Sequence, residues 1–128
     1  MPTKEQYVCA LEALVRRGLH EKKRAMLLYH ASRRSHTVTM SMLAEHVGYR
    51  SFSPANLHYG RLGLDIADLG AFSLPDRRFG ISAIGSWDRT PPHPSGQFAF
   101  TMRPELVEAV REVLGASKRR ARPARPAR

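Results

Sequence analysis

The sequence predicts a mainly α fold with a small β-hairpin, an α+β chain, and three observations carry that reading. Apolar residues recur at helical spacing in four successive segments between residues 4 and 70. The period then changes to two on either side of a proline-rich stretch, residues 88–96. A final helical stripe follows Pro104 and stops at Gly115, beyond which only Ala, Ser, Pro, Lys and Arg occur.

The first helix, about Lys4 to Gly18, puts Tyr7, Leu11, Leu14 and Val15 at helical spacing, with Gly18 to end it. A second spans His20 to Arg33, its apolar block Ala25 to Tyr29 preceded by Lys22, Lys23 and Arg24. Cations in a first turn oppose the helix dipole, so either packing overrides the penalty or the charges serve a partner. Thr39 is a good N-cap for a third, short helix. Val38 and Leu43 have the spacing of a hydrophobic staple, and Gly48 is placed to terminate the helix. The link Tyr49 to Phe52 leads to Ser53 and Pro54, a cap followed by proline at the first helical position. A longer helix then runs from Pro54 to about Leu69 and closes at Gly70.

Downstream, Arg78 to Trp87 reads as a strand in which Phe79, Ile81 and Ala83 alternate with small residues. Gln97 to Met102 alternates again, with Phe98, Phe100 and Met102 on one face. The last helix, Glu105 to Leu114, carries the stripe Leu106, Val107, Val110, Val113 and Leu114. A short helix ending in glycine, a tight polar link and a longer capped helix is the layout of a helix-turn-helix, and a hairpin after it is a wing. The expected architecture is a winged helix-turn-helix domain over residues 1–115, followed by a disordered basic tail, 116–128.

Charge is the strongest compositional signal. There are 21 Lys and Arg against 11 Asp and Glu, a net charge of +10. Lys118, Arg119, Arg120, Arg122, Arg125 and Arg128 follow Ser117 with no acid among them, which leaves 15 cations against 11 acids, or +4, before them. A basic body with a more basic tail points to a polyanionic partner. A membrane surface is the weaker candidate, because the tail has no apolar face to insert. No apolar run approaches a membrane span, and Met1 to Glu5 lacks the apolar core of a secretory signal. The single cysteine, Cys9, excludes an internal disulfide and fits a reducing cytosol, so a cytoplasmic protein is expected. Cys9 lies in an apolar helical pattern, which suits a small core residue better than a reactive thiol.

Catalysis has no candidate constellation. The chain lacks a glycine-rich phosphate loop, a nucleophile-elbow motif, a cysteine pair and a paired-carboxylate cluster. Its histidines, His20, His30, His36, His46, His58 and His93, never approach a metalloprotease spacing. No enzymatic activity, metal or cofactor is expected.

The long helix carries the binding candidates. Ala55, Tyr59, Leu62, Ile66 and Leu69 share one face while Leu57 and Leu64 lie nearly opposite, the pattern of a sandwiched helix. Gly60 and Gly63 each cost about 1 kcal/mol relative to Ala inside a helix. They mark a close approach, either by the first helix or the wing, or by a DNA backbone. The remaining arc offers His58 and Arg61, with Arg50, Ser51, Ser53 and Asn56 at the turn. Arginine reads guanine bidentately and serine donates to phosphate. Asn56 either reads adenine or hydrogen-bonds within its own first turn. Arg50 and Arg61 are the foremost candidates for DNA contact. Arg89 in the wing loop is a further candidate for phosphate or minor groove. Trp87 before it is either a lid on the core, the commoner use, or a base-stacking residue. Lys118, Arg119, Arg120 and Arg122 would add sequence-independent, salt-dependent affinity.

Two stretches, Leu43-Ala44-Glu45-His46-Val47-Gly48-Tyr49 and Asn56-Leu57-His58-Tyr59-Gly60-Arg61-Leu62-Gly63, resemble the winged-helix-like domains that precede HNH nuclease domains in bacterial restriction-type endonucleases. Gly96 to Leu106, with its Met102-Arg103-Pro104-Glu105-Leu106 helix start, is similar to the same module, and the resemblance spans about Ala25 to Gly115. It implies duplex DNA recognition, modified bases among the targets. No HNH motif follows, so cleavage is not implied. The chain would be a stand-alone reader or regulator, or would work with a nuclease on another chain. The competing reading is a phage-type anti-defence protein that binds a nucleic-acid-handling machine through protein contacts. Neither a heptad pattern nor an extra apolar face points to a dimer.

Overall fold

The computed structural model describes residues 2–88 and 96–115, so the wing-loop candidates Arg89 and His93 and the whole basic tail, with Lys118, Arg119, Arg120 and Arg122, lie outside the described residues. Five helices and three strands follow in the order α1 (Lys4–Arg16), α2 (Glu21–Ser32), β1 (Thr37–Val38), α3 (Met40–Val47), α4 (Phe52–Leu69), β2 (Gly85–Asp88), β3 (Ala99–Met102) and α5 (Pro104–Val110). Tight 3-10 turns occupy Arg34–His36 and Arg77–Ala83, and a wider π-type turn, Arg111–Gly115, extends α5. The fold is helical with one small antiparallel sheet, an α+β arrangement in which β3 lies between β1 and β2.

Capping residues set most helix ends. Thr3 and Gln6 form a reciprocal capping box at α1. At α3, the Thr39 hydroxyl accepts from the Met42 amide while the Met42 sulfur accepts from the Thr39 amide, a box completed by a thioether. Val38 and Leu43 are both buried, as the staple requires, and Gly48 ends α3 at φ 86°, a left-handed position open to glycine. The cations opening α2 have intramolecular roles: Lys22 lies 4.4 Å over the Tyr49 ring, and Arg24 donates to the Leu114 carbonyl at 3.3 Å.

Several expectations are corrected. α4 begins at Phe52, ahead of the expected Ser53–Pro54 start, with Ser51 as its N-cap. Pro54 then falls at the third helical position, where the backbone N–H has no intrahelical partner in any case. β1 is absent from the sequence reading. It is two residues long and exists because Thr37 and Val38 pair with Thr101 and Phe100, the two threonine hydroxyls 2.9 Å apart. The expected strand from Arg78 is helical in its first half: the Asp76 carboxylate accepts from the Arg78 amide and starts the 3-10 turns, leaving only Gly85–Asp88 as strand. Phe98 precedes β3 and is exposed, whereas Phe100 and Met102 are buried. Cys9 is exposed on α1, not a core residue.

α4 is the central element. Its buried face, Ala55, Tyr59, Leu62 and Ile66, joins Tyr7 and Leu11 of α1, Leu27 of α2, Leu43 of α3, Phe100 of β3 and Leu106 of α5 in one core. Gly63 meets the backbone of Gly80 so closely that a Cβ on Gly63 would strike the Gly80 carbonyl, and a Cβ on Gly80 would strike the Gly60 carbonyl. Gly63 of α4 therefore serves packing by the segment that leads into the sheet, whereas Gly60 offers that segment only its carbonyl. The sandwich is one-sided, however: Leu64 is half-buried and Leu57 is 54% exposed.

One polar tie crosses this core. The Nε2–H of fully buried His30 donates to the Phe100 carbonyl at 3.0 Å, since a carbonyl can only accept, and Nδ1 accepts from the Tyr59 hydroxyl at 2.8 Å. Burial holds the imidazole neutral, its pKa pushed down to about 4 from 6.5 against the opposing pull of the Phe100 carbonyl.

Two predictions follow from packing and one from protonation. Gly63→Ala should destabilise the fold by about 1–3 kcal/mol, because the added methyl meets backbone. Gly60→Ala, with open space around its Cβ, should gain up to about 1 kcal/mol of helix propensity; denaturant midpoints of the two variants check the contrast. Below pH 6.5 the unfolded chain protonates His30 while the folded chain does not, so stability should fall between pH 6.5 and about 4 and then level off. In His30→Gln, which keeps a donor and an acceptor, that part of the pH–stability profile should flatten relative to wild type.

Candidate nucleic-acid interface

The outward side of α4 and its approach hold the six described residues proposed as DNA contacts. Arg50, Ser51 and Ser53 are exposed where the chain enters the helix. Ser51 makes no side-chain capping bond, so the first-turn amides and the positive end of the α4 dipole are not satisfied by their own cap. Asn56 is exposed about one turn further on and Arg61 nearly three turns on. Arg50, Asn56 and Arg61 make no ion pair or side-chain hydrogen bond among the described residues.

His58 stands apart from this group. It is half-buried and stacks on Tyr49, ring centroids 5.8 Å apart at 19°. With Lys22 over the same tyrosine, the stack ties α2 to the far side of α4. Two residues of helix separate His58 from Asn56 by about 200°, so they face different neighbours.

Charge is divided along the helix. Arg50 stands just ahead of α4 and Arg61 at its middle, whereas Asp65 and Asp68 lie towards its C-terminus. Arg77 closes on Asp68 with two bonds, 2.9 and 3.1 Å, and holds that carboxyl below its ordinary range. Among the described residues the three ion pairs are Lys4–Glu112, Arg77–Asp68 and Arg78–Asp76. No described group of three or more His, Cys, Asp or Glu side chains is gathered for a metal ion, and no described helix is long and apolar enough to cross a membrane.

Two grooves flank Asn56. The first, about 500 Å³, lies between the start of α4 and the β2–β3 pair and is lined by Met40, Phe52, Asn56, Trp87, Gln97 and Phe98. The second, about 490 Å³, runs between α4 and the 3-10 turns, with Asn56, Leu57, Arg61, Phe79 and Trp87 among its lining residues. Trp87 borders both. Its ring leans on Phe100 at 4.7 Å while 37% of the residue stays exposed, so it is a lid on the core and a solvent-facing surface at once. Phe52 at 47%, Leu57 at 54%, Phe79 at 61% and Phe98 at 45% exposure complete an apolar surface around it.

Sequence reasoning missed this surface. Phe52 looks like part of a linker, Phe98 like an inward strand residue, and Phe79 like one position of a longer strand. Gln97 is a groove residue whose Oε1 accepts from the Ser41 amide at 3.2 Å, a tie to α3 that no local pattern announces. No protein-family model, no curated protein and no solved structure matches the chain.

Proposed function

We propose that this protein is a duplex DNA-binding module of winged-helix type, with no catalytic role of its own. The observation that carries the reading is the set Arg50, Asn56 and Arg61, exposed and without side-chain partners among the described residues: Arg50 just ahead of α4, Arg61 at its middle and Asn56 in its N-terminal half, α4 being the second helix of a short-helix, glycine, long-helix unit. That half is the part of such a helix that meets base edges in a major groove. The antiparallel β2–β3 pair that follows α4 supports the reading as a candidate wing, and β1 before α3 joins the same sheet. Arg50 and Arg61 supply bidentate donors, Ser51, Ser53 and the first-turn amides supply phosphate donors, and Asn56 can pair with adenine. The Lys118–Arg128 tail adds six cations that track phosphates without reading sequence. Modified bases are among the targets this reading admits.

A second reading is favoured by the apolar surface around Trp87. Exposed contiguous apolar area marks protein interfaces as well as ligand grooves, so a protein-interaction module, such as an anti-defence factor that occupies a nucleic-acid-binding machine, is the alternative.

A salt-titrated mobility shift on methylated and unmethylated duplexes separates the two. DNA binding should persist in a 1–116 truncation, with the slope of log affinity against log salt shallower by up to about 5 if all six tail cations meet phosphates. Arg61→Ala should cost about 1–3 kcal/mol if it reads a base, or reduce the salt slope by about 1 if it meets phosphate. A truncation that binds no duplex would leave the tail as the sole DNA contact and favour the protein-interaction reading.

A further inference from the structure

Resting on the DNA-binding reading and deepening it, we infer that the cleft between the start of α4 and the β2–β3 pair receives a single nucleobase taken out of the helical stack. Three aromatic side chains, Phe52, Trp87 and Phe98, border this one cleft while each remains between 37% and 47% exposed. Its volume of about 500 Å³ lies in the range of small-ligand sites. Rings left facing water around a common space are the surface on which an unstacked base settles, because every base presents a π-face. A base inside a duplex has both faces covered by its neighbours and could use none of these rings.

The polar lining suits the same occupant. Asn56 and Gln97 approach from opposite walls, one from α4 and one from the lead into β3. A carboxamide carries donor and acceptor side by side, the complement of a base edge. The Ser41 amide fixes the orientation of the Gln97 carboxamide, and Asn56 makes no side-chain hydrogen bond among the described residues. Among the described residues no charged side chain lines the cleft, whereas Arg50 stands just ahead of Phe52 and Arg61 lines the adjoining groove, where phosphates flanking an extruded nucleotide would need cations. An apolar side chain of a protein partner would fill the space but leave the Asn56 carboxamide without a complement.

Trp87 is the chain's single tryptophan, so its emission reports directly on the cleft. The full chain is titrated at fixed salt with a fully paired duplex and with the same duplex carrying one unpaired, bulged base, for which extrusion costs least. The bulged duplex should bind about tenfold tighter or more and quench Trp87 emission. Phe98→Ala, at an exposed position outside the set proposed to contact the paired duplex, should bring the two affinities together while leaving the paired duplex bound as before; circular dichroism confirms that it folds. Equal affinities with unchanged Trp87 emission would overturn the base-receptor inference and leave DNA binding standing. Failure to bind either duplex would overturn the inference together with the DNA-binding reading.

Discussion

Gly63 of α4 and Gly80 of the following turn approach so closely that neither has room for a side chain, and the placement of everything between α4 and the sheet depends on that approach. Because Gly80 seats against Gly60 and Gly63, the Arg77–Ala83 turns lie along α4 instead of running out as a strand. The chain then enters β2 at Gly85, where Thr101 also leaves no space for a Cβ. Two residues later Trp87 arrives beside Asn56. The Tyr7 hydroxyl, donating to the Ala83 carbonyl at 2.6 Å, fixes the end of the same segment to α1. A glycine in the middle of a helix weakens it, and at Gly63 the position of the cleft is what that loss obtains.

The His30–Tyr59–Phe100 tie holds the other side of the cleft. It joins α2, α4 and β3 through a neutral imidazole whose two nitrogens are both satisfied. A buried polar group is tolerable only when its partners are complete, so the tie specifies one relative placement of α4 and β3 as well as contributing to stability. Phe100 in turn supports Trp87 from beneath. The aromatic surface is therefore mounted on a rigid base, which suits recognition of a flat ligand better than adaptable contact.

Local signals were legible wherever a short stretch of chain decides its own conformation. Thr39, the Val38 and Leu43 staple, and Gly48 at positive φ all act within a few residues, and the helices they delimit were readable. The alternation of Phe79, Ile81 and Ala83 misled because period two also arises by chance over five residues, and the Asp76 cap with the glycine contact outweighs it. β1 carried no signal, since two residues have no period and its pairing partners stand 64 and 62 positions away. Arg50, Ser51, Ser53 and Asn56 are exposed at the entry and first turns of α4 and Arg61 at its middle, while His58 turns to Tyr49.

By itself the sequence determined the helical periods, the caps, the excess of positive charge and the placing of Arg50 ahead of α4 and Arg61 within it, because these are properties of composition and of neighbours a few residues apart. Only the tertiary structure decided that Phe52, Trp87 and Phe98 stand around one cleft, that Cys9 faces solvent and that His30 is neutral. Each of those outcomes depends on which distant segments exclude water from a side chain. No local pattern encodes that exclusion, and here contacts such as Gly63 against Gly80 set it.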